Sequence, residues 1–228
     1  MYHNTQVYFR SQTDRDTILA QKVTDVIDGK VKIAMDTVSP HTWAIRFPAA
    51  AGKKQSPVNL NTGAMQYDAS LKPLQIDFKG VENQTVDMKA HNFQVKIGGK
   101  AVLRGGPLEH DYHLTQFHFH WGSGNTWGSE HHVNGVSSPA ELHLVFANSK
   151  YSQNEVLTEQ PDGLSVVGVF LQLGTQTNPA LEQLCKVLPT MNKGDSKVIE
   201  PRLPLQSLIP MDSRIMEPNH SKNVLRTY

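Results

Sequence analysis

The chain has 228 residues, 22 basic and 21 acidic, for a formal net charge of +1. That balance excludes a polyelectrolyte surface for nucleic acid, and no basic run suggests attachment to a membrane surface. Hydrophobic residues make up 38% and charged residues 19%, so the chain can bury a core, and no stretch approaches the roughly 18 apolar residues of a membrane span.

Length points to one domain with an extension, at about 150 residues per domain. The single cysteine, Cys185, excludes an intrachain disulfide and any zinc site built on two cysteines. It also agrees with a reducing compartment. The first residues, MYHNTQVYFRSQTDRDTILA, lack the apolar core of a secretory signal. The first 13 hold one arginine and no acid, as mitochondrial leaders do, but Asp14 and Asp16 follow at once. The expected location is cytoplasmic, with the mitochondrion second.

In chain order, residues 1–38 have mixed polarity and are read as an extension, with a short helix over 17–27 before Asp28-Gly29. From Ser39 the texture becomes sheet-like. Strands are expected at 74–78, 85–88, 93–97 before Gly98-Gly99, and 101–103 before Gly105-Gly106-Pro107. Further strands are expected at 113–121, 140–148 and 164–173. A helix is expected over 179–188, with Asn178 as cap, Pro179 in its first turn and Pro189 as stop. Residues 189–228 are proline-rich and irregular, without a long strand pattern.

Seven of the 11 histidines fall between His110 and His143. Gln116-Phe117-His118-Phe119-His120-Trp121 alternates strictly, so in a strand Gln116, His118 and His120 share one face and the aromatic residues share the other. Glu141-Leu142-His143-Leu144-Val145-Phe146 does the same, with Glu141, His143 and Val145 on one face. If the two strands pair antiparallel, three imidazoles converge. Three neutral imidazoles suit a catalytic zinc with a fourth position for water, and zinc lowers the pKa of that water toward about 7. Gln116 and Glu141, each two residues from a histidine on its face, suit the role of orienting the second ring nitrogens. Periodicity alone leaves a second reading standing, a half-exposed strand with incidental histidines.

At QFHFHWG the sequence resembles the α-class carbonic anhydrases. The resemblance extends through Gln55-Ser56-Pro57-Val58-Asn59-Leu60, Gly105-Gly106-Pro107-Leu108, Gly128-Ser129-Glu130-His131, Ala140-Glu141-Leu142-His143-Leu144-Val145 and Pro161-Asp162-Gly163-Leu164. It covers residues 39–212. The fold it implies is mainly β, a large twisted, mostly antiparallel sheet with short peripheral helices. The activity it implies is reversible hydration of carbon dioxide to bicarbonate and a proton by zinc-bound hydroxide, with Zn2+ as cofactor.

By position, His118, His120 and His143 resemble the zinc ligands, and Gln116 and Glu141 their hydrogen-bonding partners. Glu130 resembles the buried acid that holds the family's gatekeeping threonine, and His91 resembles the proton shuttle. Val145 and Val166 match the apolar wall of the CO2 pocket. His131 and His132 are read as structural or exposed.

Beyond residue 212 the sequence departs from the family. No counterpart of the tyrosine-rich strand or of the Gly-Ser-Leu-Thr-Thr-Pro-Pro segment follows, and 213–228 reads as a divergent tail. The resemblance therefore implies a domain lacking the usual C-terminal strands, Glu130 without its threonine, and self-association through an exposed sheet edge. A second functional reading follows, a zinc-binding but catalytically impaired relative acting as a binding or regulatory module.

Overall fold

The structure is a computed structural model that describes residues 5–7, 51–52, 55–65, 68–152 and 155–210. The helix expected over 17–27 and the tail 213–228 lie outside the described residues.

In chain order the strands are β1 (Thr5–Val7), β2 (Asn59–Leu60), β3 (Lys72–Met88), β4 (Phe93–Gly106), β5 (Tyr112–Trp121), β6 (His132–Val133), β7 (Val136–Ser137), β8 (Ala140–Asn148) and β9 (Leu164–Leu171). The helix α1 (Pro179–Val187) and the strand β10 (Ser196–Val198) follow. Among the described residues, seven strands form one sheet in the order β1-β9-β8-β5-β4-β3-β10, and β2, β6 and β7 form a small second sheet. Apart from the parallel β1–β9 pair, every pairing in the large sheet is antiparallel. The fold is thus mainly β, as the sequence implies.

Four of the expected strands merge into two. Those at 74–78 and 85–88 are parts of β3, and those at 93–97 and 101–103 are parts of β4, which runs through Gly98-Gly99. Those glycines read as a turn in sequence, but they are an irregularity within a long hairpin. The β3–β4 register slips between Val81 and Asn83, opposite Gly99 and Gly98, and Gly99 takes φ +86°. A side chain at Gly99 would collide with the backbone of Gly80 and Glu82. Glycine supplies the positive φ and the close approach that such a bulge needs.

The core lies on one face of the sheet. Val86, Val95, Leu103, Phe117, Phe119, Leu142, Leu144, Phe146, Val167 and Val169 point into it, and α1 covers them with Ala180, Leu181 and Leu184. Asn178 caps α1 as expected, its side chain accepting from the backbone N–H groups of Ala180 and Leu181. The helix ends at Val187, and Pro189 falls in the short 3-10 turn that follows. The irregular stretch after residue 189 still completes the sheet edge. β10 pairs with β3, and Gln84 holds Leu203 through both the backbone N–H (2.7 Å) and the carbonyl (3.1 Å).

One local irregularity sets the phase of the site. In β5 the buried residues are Tyr112 and Leu114, then Phe117 and Phe119. The period of two is broken at Thr115, where the β5–β8 register slips between Leu114 and Gln116. The Thr115 hydroxyl donates to the Val145 carbonyl at 2.9 Å, which ties the bulge down. An extra residue in one strand turns every later side chain to the other face. Leu114 can therefore face the core while His118 and His120 face away from it.

Candidate metal centre

The antiparallel pairing of β5 with β8 sets His118 opposite His143 and His120 opposite Glu141. The three imidazoles converge as alternation and pairing require. Ring centroids are 5.2 Å apart for His118–His120, 5.4 Å for His118–His143 and 4.7 Å for His120–His143. One ring nitrogen from each lies within 4.8 Å of the others, so a single ion can be held by all three.

Hydrogen bonds on the far side of two rings set which nitrogen faces the centre. His118 Nδ1 lies 2.9 Å from Gln116 Oε1, and since a carbonyl oxygen only accepts, Nδ1 carries the proton and Nε2 carries the lone pair. His143 Nε2 lies 2.7 Å from Glu141 Oε1, which by the same logic leaves the lone pair on Nδ1. Burial pushes the His120 imidazole down to about 4, and the neighbouring His143 adds to the effect. At neutral pH it is uncharged, the form that ligates a metal. The donor set is therefore three imidazoles, with the centre-facing nitrogen of two of them set by hydrogen bonds.

Glu141 is fully buried and accepts three hydrogen bonds: His143 Nε2 at 2.7 Å, His131 Nδ1 at 2.7 Å and the His131 backbone N–H at 3.0 Å. Burial alone would raise its pKa, but the bonds from His131 and His143 outweigh burial and hold the carboxyl well below its usual range. His131, Glu141 and His143 also lie close enough to form a second donor trio. Their atoms are already spent on one another, so this trio orients His143.

Of the two readings open for His131, structural or exposed, the structure bears out the first. It is 1% exposed and braces Glu141 from a loop, where no strand periodicity marks it. The loop is fixed by short bonds. Ser129 N–H donates to the Ser138 carbonyl, and the Ser129 hydroxyl donates to the His131 carbonyl at 2.7 Å. Gly128, at φ +147°, admits the close passage, since a side chain there would strike the Pro139 carbonyl and the Gly122 nitrogen.

The remaining predicted residues are placed as follows. Val145 and Val166 are direct cross-strand partners, two register steps from the His143–Gly168 pair, and so flank the imidazoles on the same face. Glu130 differs from expectation. Instead of being buried, its side chain is 40% exposed, with Oε2 3.4 Å from His120 Nε2 and 3.9 Å from His143 Nδ1. Partial burial raises its pKa against the opposing pull of His143. It sits beside the imidazoles on a loop open to solvent. His91 is exposed in the β3–β4 turn. Its neighbour Asn92 donates to the Phe119 carbonyl at 2.8 Å, between the two β5 histidines, which ties that turn to the end of β5.

Residues 38–217 match the family model for eukaryotic-type carbonic anhydrases. The chain is also 38% identical over 178 residues to carbonic anhydrase 1 of Monodelphis domestica, an alignment covering 76% of this chain and 68% of that protein. The chain belongs to the eukaryotic-type carbonic anhydrase family. The resemblance at QFHFHWG therefore holds, and with it the assignment to carbonic anhydrase enzymes, which act on carbon dioxide and bicarbonate. No helix among the described residues is long and apolar enough to cross a membrane.

Proposed function

We propose that this carbonic anhydrase is zinc-dependent and holds the metal through His118 Nε2, His143 Nδ1 and one ring nitrogen of His120. The observation that carries the reading is the convergence of three imidazole nitrogens within 4.8 Å, two with tautomers fixed by Gln116 and Glu141. Zinc bound there supplies Lewis acidity that brings the pKa of a coordinated water toward about 7.

The chain's own residues do the rest. Gln116 and Glu141 keep the imidazoles aimed, so that little reorganisation is needed when the metal binds. Val145 and Val166 offer carbon dioxide, an apolar molecule, an apolar surface beside the imidazoles. Hydration releases a proton, and the His91 imidazole in the exposed β3–β4 turn is the group suited to carry it to solvent. Glu130 Oε2, beside His120 and His143, is an acceptor at the mouth of the site. The domain that does this spans 39–212, and the single cysteine supports a cytoplasmic setting.

The test is carbon dioxide hydration by the purified, zinc-loaded chain. Turnover that is lost with a chelator and lost in His118→Ala supports the proposal. Turnover that survives His118→Ala removes His118 from the ligand set.

A further inference from the structure

β9 buries six of its eight residues, among them Val166, Val167, Val169 and Leu171, and carries the Val145–Val166 row of the site. Its inner edge is paired along its length with β8. Its outer edge is met, among the described residues, only by β1, in parallel register: Thr5 opposite Val166, Gln6 opposite Val167 and Val7 opposite Gly168. An apolar strand with an open edge is a template for another chain. The sequence around β1, Thr5-Gln6-Val7-Tyr8-Phe9, is rich in β-branched and aromatic residues that favour a strand.

The register links this segment to the candidate centre. Across the sheet, Val7 continues the row Gly168–His143–His118, and Thr5 continues the row Val166–Val145–Gln116. Residues opposite one another in neighbouring strands belong to the same face. By register, Thr5 and Val7 thus extend the rows that carry the apolar wall and the histidines.

We propose that β1, Thr5–Val7, is a wall strand of the metal site. It docks in cis along β9 in parallel register, closes that edge of the sheet against a second copy, and extends the flank of the site beyond Val145 and Val166. The docking does not depend on metal or turnover; the wall role rests on the metal site proposed above.

The experiment is amide hydrogen exchange on the full chain and on Thr5→Pro/Gln6→Pro, with and without zinc. Alternate residues of a strand face a given neighbour, so two adjacent prolines remove a ladder N–H whichever residue donates it. Gln6→Val is the conservative control. Docking in cis predicts that peptides from Leu164–Leu171 exchange about tenfold faster or more in the proline variant. Peptides from β3 and β4 should be unchanged, and β9 protection in the parent chain should not alter on dilution. Unchanged β9 exchange overturns the docking, as does loss that spreads to β3 and β4. Protection that falls on dilution shows a second copy on the edge, which overturns the cis arrangement. The wall role is read from the visible spectrum of the cobalt-loaded chain, which should shift in the proline variant and not in Gln6→Val. An unaltered spectrum alongside faster β9 exchange overturns that role.

Discussion

Glu141→Gln isolates charge from shape at the residue that aims His143. The wild-type carboxylate is fully buried and receives His143 Nε2 and His131 Nδ1 on Oε1, each at 2.7 Å, and the His131 backbone N–H on Oε2 at 3.0 Å. Glutamine fills the same volume but has one acceptor oxygen. If that oxygen keeps the two imidazoles, the amide NH2 takes the Oε2 position and faces the His131 N–H, donor against donor. A buried N–H left without a partner costs about 1–3 kcal/mol, and the two imidazole bonds lose their charge assistance. A net destabilisation of about 2–4 kcal/mol is expected, together with a 10- to 100-fold (~1.4–2.8 kcal/mol) loss of zinc affinity because His143 is less firmly aimed. Urea unfolding of the metal-free protein measures the first quantity, and competition against a chromogenic chelator measures the second. Wild-type zinc affinity in a folded Glu141→Gln protein would refute the argument that this carboxylate orients the ligand.

Three other outcomes follow from separate parts of the structure. Asn178→Ala removes the cap of α1, and with it the bond from Asn178 Nδ2 to the Ser207 carbonyl at 2.6 Å, so thermal unfolding should show a loss of about 1 kcal/mol or somewhat more. Asp87 is held down at about 2, chiefly by its hydrogen bond to Lys96 and then by that from Ser196. A depressed carboxyl stabilises the fold above its unfolded pKa near 3.8 and loses that contribution as pH falls toward about 2. Lys96 is 57% exposed, so the contribution is screened to about 1 kcal/mol, and Asp87→Asn should flatten the stability profile in that acid window. His91→Ala should leave zinc content unchanged and slow turnover in weak buffer, with imidazole added to the medium restoring it; equal rates in both proteins would remove His91 from proton transfer.

The metal centre was legible because alternation is a strong signal on both of its strands. Gln116 to Trp121 and Glu141 to Phe146 each declare which side chains share a face, and antiparallel pairing does the rest. The bulge at Thr115 was not legible. Nothing in Tyr112-His113-Leu114-Thr115 marks an inserted residue, because the slip arises from pairing with β8. Gly98-Gly99 was visible but ambiguous, since the same pair serves a turn or a bulge, and only the partner strand decides. His131 was hidden for another reason. A loop residue has no period, and its role appears only once the chain folds back to place it on Glu141. Resemblance implies a buried Glu130, whereas the structure leaves its side chain 40% exposed beside the histidines.

The central claim is that His118, His120 and His143 together hold one zinc. X-ray absorption at the zinc edge of the purified chain, with metal content measured on the same sample, tests it most directly. The account predicts one zinc per chain with three nitrogen neighbours at about 2.0–2.1 Å and one oxygen, and a collapse of that shell in His120→Ala. A sample that takes up no zinc, or whose zinc keeps the same three-nitrogen shell in His120→Ala, would contradict it.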